Sequence, residues 1–116
     1  MDKNQNIPKK LKTPWATKLA MEQVYEMNLW GGNKADFYSG EGSHHPKIVN
    51  PYLDAVTTFL SSFKNLITVC DLGCGDFNVG KELVKYAKKY IAVDIVPSLI
   101  LRNTEKFKIP NLEFHC

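Results

Sequence analysis

The clearest periodicity along the chain is a set of apolar residues spaced three or four apart after residue 48. This spacing places them on one face of an α-helix, and Pro51 is tolerated because it falls in the first turn. The apolar positions are Val49, Tyr52, Leu53, Val56, Phe59, Leu60 and Phe63. A long amphipathic helix is therefore expected here.

A second helix is expected upstream, with Thr13 as its N-cap, Pro14 at its first position and an end near Trp30. Its apolar positions are Trp15, Leu19, Ala20, Val24 and Met27. Residues 36–45 follow with the sequence DFYSGEGSHH. Its glycine and serine content predicts a loop that links two elements or folds over something.

Short apolar runs alternate with helical segments over the rest of the chain. Strands are predicted at residues 66–72, 90–95 and 112–116. One intervening helix begins at Pro97, and the other has its apolar face at Val79, Leu83, Ala87 and Tyr90. This alternation predicts parallel strands joined by right-handed crossovers, so the expected fold class is α/β. It is typical of the first half of a Rossmann-like parallel sheet, in the order 3-2-1, here with an N-terminal helical cap.

This pattern divides the chain into two parts. Residues 1–47 are expected to form an arm, a helix and the glycine/serine-rich loop, and residues 48–116 the N-terminal part of the Rossmann-like domain. The sequence stops inside the third strand, and the first strand lacks a neighbour on one side. We therefore expect a truncated piece of a longer protein, or a partner that completes the sheet. An uncovered strand edge is also a surface for self-association.

Composition and charge narrow the class of protein. The chain has 116 residues, of which 44% are hydrophobic and 23% charged, as in one ordinary globular domain. Residues 1–20 hold five lysines and one aspartate, a net charge of +4. Because the whole chain has a net charge of +3, the residues after position 20 together carry −1. The basic character therefore belongs to the arm, and a dedicated nucleic-acid-binding domain is not expected.

The sequence also argues against a membrane protein and a secreted one. No run approaches the roughly 18 to 20 apolar residues that a membrane span needs, and no apolar run follows the basic N-terminus as in a signal peptide. The three cysteines, Cys70, Cys74 and Cys116, lack the spacing of a zinc site or a disulfide scaffold. A cytoplasmic location fits this composition.

The chemistry is concentrated in the segment VCDLGCGDFNVG, residues 69–80. Gly73 and Gly75 allow a sharp turn and a close approach to a ligand. Asp94 follows Gly75 by 19 residues, at the end of the second predicted strand. That position suits a carboxylate that accepts hydrogen bonds from two ribose hydroxyls.

The charges around this segment favour one nucleoside ligand over another. A dinucleotide motif reads GxGxxG, whereas the third glycine here, Gly80, comes two residues late. Asp71 and Asp76 would repel a pyrophosphate but suit an ammonium or sulfonium group. A Walker loop is excluded because GKS and GKT do not occur. The pattern favours S-adenosylmethionine over NAD.

The string DLGCG, residues 71–75, resembles the first signature of class I S-adenosylmethionine-dependent methyltransferases, and Asp94 is similar to their second-strand acidic residue. The longer strings DLGCGDFN, VDIVPSLI and NLEF, with FYSGEGS upstream, resemble an uncharacterised bacterial branch of that family. This resemblance covers about residues 38–116. It implies a methyltransferase whose S-adenosylmethionine-binding domain occupies residues 48–116.

The resemblance also implies roles for individual residues. Gly73 and Gly75, with Cys74 between them, would approach the methionine portion, and Asp71 would orient its ammonium group. Asp94 would take the ribose hydroxyls, and its neighbour Ile95 would pack against adenine.

Two further residues complete the expected cofactor-binding set. Asp76 is equally consistent with a ligand contact and with a helix N-cap, and Asn78 could also be that N-cap. Tyr38 is expected to cover the ligand. No catalytic residue and no metal site is indicated.

For several other residues, a structural interpretation is favoured over a functional one. Cys70 and Cys74 are expected to be small buried residues rather than nucleophiles. His44 and His45 are expected in a solvated loop rather than as a base or metal ligands, and Trp30 as an anchor for the first helix. A solvated helix face is expected at Lys81, Lys85, Lys88 and Lys89.

Two alternative functions stay open. The glycine segment could bind a dinucleotide in an oxidoreductase, or the chain could be a noncatalytic S-adenosylmethionine-binding or partner module. The methyl acceptor is not identified by the sequence. A small molecule is favoured, and a nucleic acid is disfavoured because the folded part lacks a basic surface.

Overall fold

The structure, a computed structural model, describes residues 16–33 and 35–116. It contains helices α1 (Thr17–Glu26), α2 (Pro46–Ser61), α3 (Gly80–Leu83) and α4 (Pro97–Lys106), and strands β1 (Thr68–Leu72), β2 (Lys89–Val93) and β3 (Leu112–His115). Short 3-10 turns lie at Glu41–Ser43 and Val84–Tyr86. The predicted helix start at Thr13 and Pro14 lies outside the described residues.

The three strands form one parallel sheet with β2 between β1 and β3. The expectation of an α/β fold with a parallel sheet is confirmed. Asp71 lies opposite Ala92, and Leu72 opposite Val93. Parallel strands end at the same edge of a sheet, so the glycine turn after β1 and Asp94 after β2 are brought together.

Strand β1 lies at one edge of the sheet, and among the described residues it pairs only with β2. Thr68, Cys70 and Leu72 alternate along β1 and so lie on one face of the sheet. All three are exposed, and Leu72 exposes 79% of its surface. Because Cys70 lies on this exposed face, the expectation that it is buried is wrong.

The core lies on the opposite face of the sheet, which carries Val69 and Tyr90, and it is built around Phe77, which is fully buried. Its ring contacts those of Tyr90, Phe107 and Phe114 at centroid distances of 5.7, 5.1 and 5.0 Å. A Cβ atom on Gly80 would lie 2.4 Å from this ring. The late third glycine therefore makes room for a core side chain.

The helix after the glycine segment is shorter than the apolar spacing predicts. Helix α3 ends at Leu83, and a 3-10 turn follows to Tyr86. Tyr90, expected both on this helix face and as the first residue of the second strand, is a buried residue of β2. The spacing of three residues between Ala87 and Tyr90 fits a helical turn, but here it runs from the end of the 3-10 turn into the next strand.

Helix α1 packs through a face other than the expected one. Tyr25 is buried against Val96 and Leu99, while Leu19 and Met27 remain exposed. The face at steps of four from Tyr25, which includes the half-buried Met21, is the one that meets the domain.

None of the helices among residues 16–33 and 35–116 has the length and apolar character that a membrane span requires.

Candidate functional site

The glycine turn directly follows β1 and is hydrogen-bonded to the end of β2. Gly73 and Gly75 have φ angles of 80° and 56°, a region that glycine adopts without strain. The backbone N–H groups of Gly73 and Cys74 both donate to the carbonyl of Val93, at 2.8 and 2.9 Å. The predicted sharp turn is therefore present, held by the neighbouring strand.

The two glycines differ in what they approach. The space where Gly73 would carry a Cβ is open, whereas a Cβ on Gly75 would lie 3.1 Å from the Cβ of Ser39. Gly73 therefore leaves room for a ligand. Gly75 allows the segment around Ser39 to pack closely.

A cavity of about 480 Å³ lies beside this turn, between α1, α2 and the segment around Ser39. Three carboxylates line it, and among the described lining residues there is no lysine, arginine or histidine. Its apolar and aromatic walls come from Met21, Tyr25, Trp30, Tyr52, Leu72, Val79, Leu83 and Tyr90. The lining therefore favours a ligand with a positive charge.

A second cavity, of about 430 Å³, adjoins the first on the far side of Asp94. Ile95 lines it together with Val93 and Cys116, and its surface is largely apolar. The two cavities share the lining residues Met21, Leu72, Gly73 and Asp94. The two cavities, of which the second is the more apolar, thus meet at one buried carboxylate.

Asp94 is held by backbone groups on both sides. Its Oδ2 accepts from the N–H of Gly75 at 3.0 Å, and its Oδ1 from the N–H of Val96 at 3.2 Å. A carboxylate has about four acceptor positions. Two are thus used by the described residues, and two remain for a ligand.

Asp71 retains more acceptor capacity than Asp94. Among the described residues, only the hydroxyl of Tyr90 donates to its carboxylate, at 2.8 Å. Burial raises the pKa of Asp71, and the nearby charge of Asp94 adds to this effect, while the bond from Tyr90 opposes it. A cation in the cavity would relieve this unfavourable burial.

Cys74 is not a nucleophile in this environment. Burial, together with the charges of Asp94 and Asp71, raises the pKa of its thiol to about 12. The thiolate is therefore not populated near neutral pH. This agrees with the expectation of a packed, unreactive cysteine.

Asp76 has a structural role. Its carboxylate accepts four hydrogen bonds: from the N–H and the hydroxyl of Ser39 at 3.1 and 2.7 Å, from Nε2 of His44 at 2.7 Å, and from the N–H of Asn78 at 3.2 Å. These fill its acceptor positions. The carboxylate thus has an anchoring role, and because Asp76 also lines the cavity, its contact with a ligand stays a prediction. It is also no helix N-cap, since α3 begins at Gly80.

The expectation of a solvated loop is wrong for His44. The imidazole donates to Asp76, and its ring stacks on Tyr38 at a centroid distance of 4.3 Å. The side-chain amide of Asn78 also donates to the carbonyl of Ser43. Together these contacts fix the segment 38–45 over the glycine turn. The imidazole of His45 accepts from the N–H of Lys47 at the start of α2.

Trp30 contacts the first helix, as expected, and also lines the cavity, whereas Tyr38 does not line it. Tyr38 donates its hydroxyl to Glu41 at 2.6 Å and is not among the residues lining the cavity. Trp30 lines the cavity and also contacts Tyr25.

No group of three or more His, Cys, Asp or Glu side chains in the described part of the chain is arranged to hold a metal ion. Scans against family models, curated proteins and solved structures gave no significant match. The resemblance to methyltransferases therefore rests on the quoted motifs.

The anchoring role of Asp76 predicts a pH-dependent stability. Burial alone would raise the pKa of Asp76, but the bonds from Ser39, His44 and Asn78 outweigh it and lower the pKa. A carboxyl with a lowered folded-state pKa stabilises the fold above its unfolded pKa of about 3.9, and this is lost as pH falls through the folded pKa. We expect Asp76→Asn to be less stable than the wild type at pH 6 and to lose less stability on acidification.

Urea denaturation of both proteins between about pH 6 and pH 3 measures this difference. Asp54→Asn is the matched control, because Asp54 is an exposed residue of α2. Parallel stability curves for the wild type and Asp76→Asn would contradict the anchoring role.

Proposed function

We propose that the chain is the S-adenosylmethionine-binding part of a methyltransferase, built as the first half of a Rossmann-like sheet with α1 as its N-terminal cap. One observation carries the proposal. The cavity at the carboxyl ends of β1 and β2 combines an open glycine turn with three carboxylates and, among its described lining residues, no basic side chain. Such a lining stabilises a ligand that is cationic at its centre.

The open acceptor positions support a specific orientation of this ligand. Asp71, which keeps most of its acceptor capacity, would receive the ammonium of the methionine portion. Asp94 would accept from the ribose hydroxyls with the two positions that its backbone partners leave free. The apolar compartment next to Ile95 would hold the adenine ring.

The ligand supplies an activated methyl group, which is transferred to a nucleophile in an in-line displacement. The residues of this chain contribute alignment, since they fix both ends of the ligand and exclude water from one side. A general base is required only for an acceptor that must first lose a proton. The proposal leaves the methyl acceptor unidentified and favours a small molecule.

The same geometry disfavours a dinucleotide. A pyrophosphate needs free backbone N–H groups at the turn. Those of Gly73 and Cys74 are bonded to Val93, and that of Gly75 to Asp94. The phosphates would also face carboxylates. An oxidoreductase is therefore the weaker alternative. A noncatalytic module would bind the same ligand as the proposed methyltransferase and would differ from it only in having no methyl acceptor.

Calorimetric titration with S-adenosylhomocysteine and NAD tests the proposal. We expect a dissociation constant in the micromolar range for S-adenosylhomocysteine, about −8 kcal/mol, and no measurable binding of NAD. Preferential binding of NAD, or the absence of heat with S-adenosylhomocysteine, would contradict the proposal.

A further inference from the structure

Asn103 of α4 is a fully buried polar residue. The other buried polar or charged residues of the described chain are Asp76 and Asp94. Both of these line the cavity beside the glycine turn, whereas Asn103 does not. An amide buried this deeply is costly to the fold unless it is hydrogen-bonded, so its partners indicate which part of the structure it holds.

The side chain of Asn103 holds the glycine turn from the side of α4. Its Nδ2 donates to the carbonyl of Gly75 at 2.8 Å, and the N–H of Gly75 donates to Oδ2 of Asp94 at 3.0 Å. Both backbone polar groups of Gly75 are therefore bonded to side chains from outside the turn. Because glycine has an unusually free backbone, these two bonds determine how the turn is oriented.

Arg102 determines which end of the Asn103 amide faces Gly75. Its Nη1 donates to Oδ1 of Asn103 and to the carbonyl of Asp76, both at 2.8 Å. Its Nε and Nη2 donate to the two carboxylate oxygens of Asp36, at 3.0 and 2.8 Å. A guanidinium only donates hydrogen bonds, so the oxygen of the amide must face Arg102. The NH₂ group is thereby directed at the carbonyl of Gly75.

We propose that Asn103 is a positioning residue for the ligand site, acting through Gly75 on Asp94. This inference rests on the proposed function, in which Asp94 binds ribose with the two acceptor positions that its backbone partners leave free. One of those partners is the N–H of Gly75. Without the bond from Asn103, the turn rotates more freely and the carboxylate loses the group that fixes its direction. Asn103 thus increases ligand affinity although it does not line the cavity.

Amide hydrogen exchange, measured by NMR, tests the first step of this inference without any ligand. We expect Asn103→Ala to speed the exchange of the Gly75 N–H about fivefold relative to the amides of β2, because the turn opens locally while the sheet persists. Asn111→Ala is the matched control, since the Asn111 amide also donates to backbone carbonyls, at the 3-10 turn after α3 and away from the cavity. It should leave the relative exchange of Gly75 unchanged.

Asn103→Asp is a second variant for the same measurement, chosen because it keeps the size of the side chain and causes no cavity. Its carboxylate still accepts from Arg102 but has no donor for the carbonyl of Gly75. We expect it to speed the relative exchange of Gly75 as Asn103→Ala does.

Calorimetric titration with S-adenosylhomocysteine tests the second step in a double-mutant cycle. In the wild-type background we expect Asn103→Ala to weaken binding about fivefold, the size of the coupling within one hydrogen-bond network. In the Asp94→Asn background it should weaken binding by less than about twofold, because the residue through which Asn103 acts is already changed. Asn111→Ala should leave the affinity unchanged in both backgrounds.

Three results would overturn the inference: unchanged relative exchange of Gly75 in the two Asn103 variants, wild-type affinity of Asn103→Ala, or equal weakening of binding in the wild-type and Asp94→Asn backgrounds. In each case binding of S-adenosylhomocysteine by the wild type would leave the proposed function intact. Failure of the wild type to bind S-adenosylhomocysteine would overturn the proposed function and, with it, the effect of Asn103 on affinity.

Discussion

Replacing Asp94 with asparagine is expected to weaken S-adenosylhomocysteine binding at least tenfold. The carboxylate would accept from two ribose hydroxyls, and a hydrogen bond to a charged acceptor contributes about 1.5 to 3 kcal/mol. Each 1.4 kcal/mol corresponds to a tenfold change in the dissociation constant. Asparagine has one acceptor oxygen, and its amide would also face the N–H of Gly75 or Val96. Calorimetric titration of the variant measures the effect.

Asp54→Asn is the control for the change of charge alone, because Asp54 lies on the exposed side of α2. Circular dichroism of Asp94→Asn checks that the fold persists, since loss of a buried backbone partner costs about 1 to 3 kcal/mol. A folded Asp94→Asn with wild-type affinity would show that Asp94 holds the glycine turn and does not contact the ligand.

Replacing Phe77 with alanine should cost about 3 to 5 kcal/mol of stability, a large fraction of the usual total for a domain. The residue is fully buried, and three aromatic rings pack around it. Its φ angle of 66° is unusual for a non-glycine residue. Packing against the sheet therefore holds the backbone in this conformation.

Urea denaturation of Phe77→Ala measures this loss, and Phe59→Ala is its matched control, because Phe59 is 59% exposed on α2. We expect the control to lose less than about 1 kcal/mol. Similar losses in the two variants would contradict the assignment of Phe77 as the centre of the core.

The features that follow from local pattern were predictable from the sequence. Alternating strands and helices predicted a parallel sheet, because short crossovers allow little else. A glycine turn after one strand and Asp94 after the next had to meet at one edge of that sheet. The order of the residues therefore predicts where the candidate site lies.

The features that depend on distant packing were not predictable in this way. Asp76 meets Ser39 and His44 across separations of 37 and 32 residues, and no spacing rule encodes such contacts. Tyr25 was missed because an amphipathic pattern leaves the packed face uncertain by one position. The signal for it was its step of four from Met21, which also faces the domain.

The late glycine illustrates how one residue can support two explanations. Gly80 departs from the dinucleotide motif, which argued for a different ligand. The structure adds a separate reason for it, since any side chain there would collide with Phe77. The inference about the ligand therefore rests on the carboxylates around the cavity more than on the glycine spacing.

Locating S-adenosylhomocysteine on the protein shows whether the cavity between the ends of β1 and β2 is the proposed binding site for S-adenosylmethionine. Amide chemical shifts can be recorded by NMR while S-adenosylhomocysteine is added. We expect the largest shifts at residues 71–76 and 94–96. Shifts confined to a different surface pocket, lined by Thr57 and Tyr86, would contradict this.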